Sequence, residues 1–332
     1  MNRYLLVILL LFFYPLAVKA QPLSLPTALQ HSYYEYSGMC MYNGSIYLLP
    51  QNKRPEASYT GVIFAIDTSA VTIDNAGNAG VPDAAVHTLS IDNFREMAHS
   101  IDKFSGFEAM VIVNDAVFLT VETDADTDYL VKGYLMENSV KLTGDRIALP
   151  KLHRNGKYLP NAGYEALSYR DGKLIVGFEY NYLDGGNAFY LIDTSFSGSG
   201  AHIQSVPFVR LPFRLTDVAA LADGSMLAIN HYWNLNGNSN HRESYYREID
   251  NTNDPDLKHW AWNQCFTRIL HITVDNAGRQ ARWQTAMIIP NKDCINWEGI
   301  VPFRSGVLLI SDDNSFPILK TKFRYYPFDG NR

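Results

Sequence analysis

The chain has 332 residues, of which 47% are hydrophobic and 19% are charged, so it can bury a large core as one big all-β domain or as two ordinary domains. Its formal net charge is −6. That balance argues against nucleic acid as a partner, because phosphate binding depends on Lys and Arg.

The first twenty residues have the pattern of a secretory signal peptide. Arg3 supplies a positive start, residues 4–16 form an apolar segment, and Val18-Lys19-Ala20 provides a small-residue cleavage signal. The apolar segment is too short to span a bilayer comfortably. We therefore predict cleavage near Ala20, a secreted or periplasmic location and no membrane span.

One hairpin pattern recurs five times along the chain. Each copy has an opening residue, an apolar run, a turn with Asn, Asp, Gly or Ser, and a second apolar run. Fourteen positions separate the opening residue from the residue that ends the second run, in the pairs Ser37/Gln51, Glu108/Glu122, Glu165/Glu179, Asp217/His231 and Glu298/Asp312. Further strand-like runs follow each hairpin, such as residues 61–69 and 84–92 after the first.

Each repeat thus contains four predicted strands, and the sequence after the signal peptide shows no helical periodicity. Repetition of this kind predicts an all-β fold, a β-propeller of five four-stranded antiparallel blades in a single domain over residues 21–332. A sixth, degenerate blade within residues 70–105 is the alternative. The last repeat lacks a clear fourth strand, and we expect residues 21–36 to supply it and close the ring.

The chain contains three cysteines. In an oxidising compartment, Cys265 and Cys294 could form a disulfide across neighbouring strands. The alternative is that both thiols are free. Cys40 lies in an apolar run, so we expect a small buried side chain there.

The hairpin geometry predicts where the acidic residues lie. In a propeller the first strand of each blade lines the central channel and begins on the face where the second strand ends, so both members of each pair should surround one pocket. Oxygen donors without thiols favour Ca²⁺. The predicted metal ligands are Glu108, Glu122, Glu165, Glu179, Asp217, Glu298, Asp312 and Asp313. The alternative is structural, with acids that bind loop amides and pin neighbouring blades together.

Two of the paired residues are candidate catalytic groups, His231 as a general base and Glu298. The longest loop, residues 232–263, follows His231 and would overhang the pocket. The predicted substrate-binding residues are Lys151, His153, Arg154, Ser37 and Gln51, with the three cations placed to hold an anionic substrate.

The motifs resemble those of a known family. WEGI and GVLLISDDNSF from Trp297, GYEALSYRDGKLIVGFE from Gly163, LTDVAALADGSMLAI from Leu215 and SGMCMYNGSIYLL from Ser37 are similar to repeats of the "esterase-like activity of phytase" (phytase-like) domain. The resemblance implies a secreted or periplasmic propeller that hydrolyses phosphoesters or carboxyl esters. The fourth repeat departs from it, because residues 230–233 replace the family's acidic or basic tip. AINHYWN is also similar, over one strand, to calcium-dependent lactonase propellers, which implies a base role for His231.

Together these features predict a metal-assisted hydrolase, dependent on Ca²⁺, that acts on a small-molecule ester or phosphoester at the channel mouth. The alternative is a propeller without catalytic activity that binds a glycan, a peptide or an envelope partner on the same face.

Overall fold

The computed structural model describes residues 25–30, 34–53, 59–154, 157–159, 162–180, 188–196, 203–232, 254–258, 264–275, 280–291, 293–312 and 321–328. The predicted signal peptide, Asp313, most of the loop over residues 232–263 and the side chains of His153 and Arg154 lie outside the described part. No helix in the described ranges is long and apolar enough to cross a membrane.

The described residues form mostly β-strands. The first two repeats contain β1 (Tyr36–Tyr42), β2 (Ser45–Pro50), β3 (Val62–Asp67), β4 (Thr72–Ile73), β5 (Ala79–Gly80), β6 (Val86–Asp92), helix α1 (Phe94–Ser100), β7 (Phe104–Val113), β8 (Ala116–Thr123), β9 (Thr127–Leu135) and β10 (Ser139–Pro150). The link to the third repeat contains β11 (His153–Arg154) and β12 (Lys157–Tyr158). The remaining repeats contain β13 (Ala166–Arg170), β14 (Lys173–Gly177), β15 (Ala188–Asp193), β16 (Ile203–Pro207), β17 (Arg214–Ala220), β18 (Met226–Tyr232), β19 (Phe266–Val274), β20 (Ala281–Ile289), β21 (Trp297–Phe303), β22 (Gly306–Ser311) and β23 (Phe323–Pro327).

These strands build a five-bladed β-propeller, as the sequence predicted. The blades are β1-β2-β3-β6, β7 to β10, β13 to β16, β17 to β20 and β21 to β23, each paired in that order. Contacts among β1, β7, β13, β17 and β21 run round the ring, so these five strands surround the channel. The apolar side chains fill the layers between blades, as the fully buried Trp297 does beside Ile300 and Leu309.

The sixth-blade alternative is wrong, because residues 70–105 belong to the first blade and its link to the second. The outer strands β6 and β10 pair in parallel over residues 90–92 and 139–141, which joins the two blades into one eight-stranded sheet. Helix α1 packs in the core of this junction through Phe94, Met97 and Ala98. The expectation of no helix was therefore wrong for these seven residues, whose apolar positions have i, i+3, i+4 spacing.

The fifth blade is completed differently from the prediction. The β4–β5 hairpin from the first blade lies beside β23, where Asn78 forms a bridge to Arg324 and Tyr325 donates its N–H to the Gly77 carbonyl at 2.8 Å. A Cβ at Gly77 would lie 2.8 Å from the Tyr325 oxygen, so this approach requires glycine. The described N-terminal residues form only a short 3-10 helix, Thr27–Leu29, against Tyr36.

A Cys265–Cys294 disulfide links the start of the third strand of blade 4 to the segment that leads into blade 5, with Cα atoms 5.3 Å apart. Of the two open alternatives, the structure thus has the bridged one. Cys40 is buried with its thiol free, as expected.

Candidate functional site

In four of the five blades a β-bulge aims one residue of the first strand toward the channel mouth. The pairing of first and second strands shifts register at Ser37 in β1, Glu108 in β7, Thr216 in β17 and Glu298 in β21. In the third blade Glu165 immediately precedes β13. A bulge bends the strand and turns the extra side chain out of the ladder, which is how four blades present this residue at the same level.

The residues that end the second strands lie beside these bulges. We use the name mouth ring for the two sets together: Ser37, Glu108, Glu165, Thr216 and Glu298 on the first strands, and Gln51, Glu122, Glu179, His231 and Asp312 at the ends of the second strands. The fourteen-residue spacing holds in four blades. The fourth blade has one residue more, so Thr216 and not Asp217 is the partner of His231 in the ring.

Asp217 lies one position deeper in the channel and has a structural role. Its Oδ2 accepts the N–H of Ile300 in blade 5 at 2.8 Å and that of Met39 in blade 1 at 3.5 Å, and its Oδ1 accepts the N–H of Val218 at 2.8 Å. These three contacts support the structural alternative for Asp217, and its assignment to the metal ligands stays a prediction. A Cβ on Gly299, at the same depth in blade 5, would lie 2.8 Å from the Met39 Cγ, so the blades approach closely here.

Ser37 and Thr216 make equivalent hydrogen bonds between blades. The Ser37 hydroxyl donates to the Phe107 carbonyl at 2.8 Å, and the Thr216 hydroxyl donates to the Trp297 carbonyl at 2.7 Å. Both acceptors are the residue before the bulge of the next blade. This contact uses the Ser37 hydroxyl within the fold, and its role in substrate binding stays a prediction.

Arg214 is the site residue that sequence reasoning missed. Its guanidinium lies 3.8 Å from Glu165 Oε1, 3.5 Å from Glu179 Oε2 and 3.5 Å from Glu298 Oε1, and it donates to Asn296 Oδ1 at 3.0 Å. The signal was available in the sequence, because Arg214 stands two residues before the fourth bulge. The equivalent positions in the other blades are Glu35, Gly106, Gly163 and Asn296, so Arg214 is the one positively charged residue among the five.

In the second blade, an amide and a lysine interact with the ring carboxyls Glu108 and Glu122. Glu108 Oε2 accepts a hydrogen bond from Gln51 Nε2 at 3.0 Å, and Glu122 Oε1 lies 3.6 Å from Lys151 Nζ. Lys151 also donates to the Thr123 carbonyl at 2.6 Å and lies 3.4 Å from Asp128 Oδ1. The Lys151 side chain has no exposed surface. The structure thus places Lys151 as a buried ion-pair partner, and its role in holding an anionic substrate stays a prediction.

Burial and crowding of like charges raise the pKa of several ring carboxyls. Burial raises the pKa of Glu298 to about 8, with further increases from Asp312 and Glu179, although Arg214 acts in the opposite direction. Burial and Glu122 hold the pKa of Glu108 well above its usual value. Burial, Glu179 and Glu298 do the same for Glu165. Part of the ring is therefore protonated at neutral pH.

His231 is fully buried, and its Nδ1 lies 2.9 Å from Thr267 Oγ1. Its Nε2 makes no hydrogen bond to the described residues. Burial and the positive charge of Arg214 hold the pKa of His231 well below its usual value, so the imidazole is neutral at pH 7. A histidine with a strongly lowered pKa is a weak base, which argues against the predicted catalytic role.

The ring carboxyls, as arranged here, do not fit a calcium site. Glu165, Glu179 and Glu298 all contact Arg214, and Glu122 contacts Lys151. Among the residues that the structure describes, no three His, Cys, Asp or Glu side chains are grouped so that they could hold a metal ion. The calcium prediction stays a prediction.

No protein-family model matches the chain, and no curated protein matches it. Its fold is similar to solved structures at low identity. A GH43_1 enzyme from Xanthomonas citri complexed with xylose has a TM-score of 0.48 at 11% identity, covering 90% of this chain and 88% of that one. A GH43 β-xylosidase/α-arabinofuranosidase from a compost microbial metagenome has a TM-score of 0.46 at 11% identity, and the match covers 89% of this chain and 92% of that one. An exo-1,5-α-L-arabinanase from a bovine ruminal metagenomic library has a TM-score of 0.45 at 10% identity, and the match covers 92% of this chain and 96% of that one.

Proposed function

We propose that the protein is a hydrolase whose mouth-ring carboxyls perform acid–base catalysis on a carboxyl ester. One observation carries the proposal: Glu165, Glu179 and Glu298 converge on the single guanidinium of Arg214 at the channel mouth. Carboxyl groups that share a site but have different surroundings can hold different protonation states, which is what an acid and a base require.

The surroundings assign the roles. Glu298, with its pKa raised to about 8, carries a proton at neutral pH and can donate it to the leaving oxygen. Glu179 accepts the N–H of Gly163 at 3.0 Å and lies beside Arg214, two contacts that stabilise a carboxylate able to accept a proton. In the reaction, water adds to the ester carbonyl and gives one proton to Glu179. The alcohol leaves with the proton of Glu298, and Arg214 can stabilise the negative oxygen that develops.

Charge favours a carboxyl ester over the phosphoester that the family resemblance also implies. A phosphate group would meet six carboxyl side chains in the ring: Glu108, Glu122, Glu165, Glu179, Glu298 and Asp312. Lys151, which was predicted to hold an anion, is buried between Glu122 and Asp128. A neutral ester group avoids this repulsion.

The binding propeller remains the second candidate, favoured by the near-complete burial of Glu108 and Glu298, which are 3% and 7% exposed. Purified protein should be assayed with 4-nitrophenyl acetate, butyrate and phosphate. We expect hydrolysis of the acyl esters, a decrease of roughly 10²–10⁴-fold in Glu298→Gln, and no change in the control Asp171→Asn. Asp171 is an exposed acid on the turn after β13. Inactivity on the whole panel, or undiminished activity of Glu298→Gln, would refute the hydrolase.

A further inference from the structure

The segment that leads to Arg214 contains a strained residue. Phe213, immediately before β17, has a φ of 71°, in the left-handed region where a side chain with a Cβ is disfavoured. Of the ten non-glycine residues with positive φ in the described ranges, six are Asn or Asp, which tolerate this conformation, and Phe213 is the one aromatic residue. Phe213 is fully buried, with its ring 5.1 Å from that of Tyr232 and 5.7 Å from that of Phe266. An unfavourable backbone conformation thus stands directly beside the cation that contacts three ring carboxyls.

One buried amide binds the backbone on both sides of this residue. Asn230, in β18, is fully buried, and its Nδ2 donates to the Pro212 carbonyl at 2.7 Å and to the Arg214 carbonyl at 3.0 Å. A change of φ at Phe213 would move one of these carbonyls relative to the other, and a buried carbonyl without a donor costs free energy. The Asn230 amide therefore stabilises the left-handed conformation of Phe213.

A second buried arginine sets the orientation of the Asn230 amide. Arg268 Nε donates to Asn230 Oδ1 at 2.8 Å, and Arg268 Nη1 donates to Asp256 Oδ2 at 2.9 Å and to Asp254 Oδ1 at 3.1 Å. The Arg268 side chain has no exposed surface, and its Cζ lies 4.6 Å from the centroid of the Trp283 ring. A guanidinium group only donates hydrogen bonds, so Asn230 must present its oxygen to Arg268 and its NH₂ group to the two carbonyls.

We propose that Asn230 is a positioning residue for Arg214: its amide holds Phe213 in the left-handed conformation that directs the Arg214 guanidinium to the three ring carboxyls. The inference rests on the proposed function for its catalytic consequence, because Arg214 is assigned there to the negative oxygen that develops on the ester. An arginine whose backbone is fixed before the substrate binds stabilises that charge without reorganisation during the reaction. Strained residues that their surroundings hold in place cluster at functional sites for this reason.

Titration of Glu298 tests this positioning without requiring turnover. Leu has nearly the shape of Asn without its hydrogen-bonding groups, so Asn230→Leu should loosen the backbone before Arg214 and move the guanidinium away from Glu298. Arg214 lowers the pKa of Glu298, so the pKa should rise above its value of about 8 in the folded variant. The charged groups that face Glu298 are Arg214, Asp312, Glu179, Glu165, Glu108 and Asp217. Carbon NMR of the glutamate carboxyls measures the titration, with the signal assigned by its absence in Glu298→Gln.

Asn52 provides a matched control in the first blade. It is 3% exposed, and its Nδ2 donates to the Pro50 carbonyl at 2.7 Å and to the Val62 carbonyl at 3.0 Å. Asn52→Leu therefore removes the same two kinds of hydrogen bond from a blade that does not hold Arg214. We expect both variants to lose stability and only Asn230→Leu to shift the Glu298 titration. An unchanged titration in folded Asn230→Leu, or an equal shift in Asn52→Leu, would overturn the proposal.

Two further measurements keep the question decidable if Asn230→Leu does not fold. Asn230→Ser is smaller and has one hydroxyl donor for two carbonyls, so it should shift the Glu298 titration in the same direction. In the unaltered protein, the side-chain NH₂ protons of Asn230 should be protected from hydrogen exchange, because both are bound in a buried site. Rapid exchange of these protons would overturn the proposal.

Kinetics separate this inference from the proposed hydrolase. With active protein, Asn230→Leu should lower kcat for 4-nitrophenyl butyrate by about tenfold or more at a similar KM, because Arg214 acts on a charge that develops only during the reaction. An unchanged kcat in the folded variant would overturn the positioning role. A shifted Glu298 titration in a protein that hydrolyses none of the esters would support the positioning of Arg214 and refute the hydrolase.

Discussion

At the scale of single residues, the mouth ring shows how burial and neighbouring charge decide what a carboxyl group can do. Asp217 and Glu298 are both buried acids on inner strands. Asp217 accepts three backbone N–H groups and holds blades together, whereas Glu298 faces Arg214 and other carboxyls. The partners of the two side chains, and not their residue type, assign one to structure and the other to candidate catalysis.

Glu298 should make stability depend on pH. Its pKa rises from about 4.3 in an unfolded chain to about 8 in the folded protein, so the folded state binds more protons across that window. The stabilisation is complete below about pH 4 and is lost as the pH rises toward 8, by up to about 1.4 kcal/mol per pH unit. Urea unfolding at about pH 5 and about pH 8 measures the loss. Glu298→Gln should show a smaller loss than the unaltered protein, and an equal loss would contradict the assignment.

His231 should contribute to stability more than to proton transfer. His231→Gln removes the ring nitrogen that lies 2.9 Å from Thr267 Oγ1 in a fully buried site, which should cost about 1–3 kcal/mol. The pH profile of kcat should keep its shape, because a histidine with a strongly lowered pKa does not titrate near neutral pH. Chemical denaturation and a pH–rate profile measure the two effects. A stable variant that has lost an ionisation from the profile would restore the predicted base role.

At the scale of the elements, the bulges do two tasks. They turn Glu108 and Glu298 toward the mouth, and in the first and fourth blades they place a hydroxyl that binds the next blade. The fifteen-residue spacing in the fourth blade follows from one extra residue in the turn between β17 and β18, where Leu221 donates its N–H to the Ser225 carbonyl across residues 222–224. The other hairpins have two-residue turns. A single insertion thus moves Asp217 from the ring to the channel interior.

Matched variants test the hydrogen bonds that the Ser37 and Thr216 hydroxyls make between blades. Thr216→Val leaves the buried Trp297 carbonyl without its donor and should cost about 1–3 kcal/mol, whereas Thr216→Ser keeps the donor and should cost less. Ser37→Ala should resemble Thr216→Val because it removes the equivalent bond to Phe107. Unfolding free energies from urea titration give the comparison. Equal stability of the Val and Ser variants would show that the hydroxyl contributes nothing.

At the scale of the whole molecule, the ring is held closed by contacts that cross between its first, fourth and fifth blades. Asp217 connects all three, the β4–β5 hairpin joins the first blade to the fifth, and the Cys265–Cys294 disulfide joins the fourth to the fifth. These contacts close the ring between its last two blades and its first.

Asp217→Asn tests that closure. The substitution keeps the shape of the side chain but turns one acceptor into an NH₂ group that faces backbone N–H donors, so we expect a loss of about 1–3 kcal/mol or more. The exposed Asp171→Asn is the control with the same change of charge. Thermal unfolding followed by circular dichroism measures both. A melting temperature that is unchanged in Asp217→Asn would remove the residue from the closure.

The effect of calcium on the melting temperature of the whole protein tests the predicted calcium site. Because Arg214 and Lys151 already contact four of the predicted ligands, we expect the same melting temperature in EDTA and in millimolar calcium. A protein that binds calcium in its native state would instead gain about 2.7 kcal/mol at a free concentration a hundredfold above the dissociation constant. A clear rise in the melting temperature would therefore support the calcium site predicted from the sequence.

The sequence by itself determined the number of blades, the strands that follow Ser37, Glu108, Glu165 and Glu298, and the face on which those residues meet. The reason is that side chains alternate along a strand and the hairpin repeats at a fixed spacing, so local pattern and repeat together specify the ring. The β4–β5 hairpin and helix α1 escaped this reasoning because each is short and is stabilised by contacts with another blade or with the core.

Only the tertiary structure decided which acids are structural and which are candidate catalysts. The convergence of Glu165, Glu179 and Glu298 on Arg214 joins three blades, and the burial of Lys151 between Glu122 and Asp128 joins the second blade to its link. Spacing along one strand carries no information about a neighbour contributed by another blade. The charge of a buried carboxyl depends on that neighbour and on its desolvation, which are properties of the assembled channel mouth.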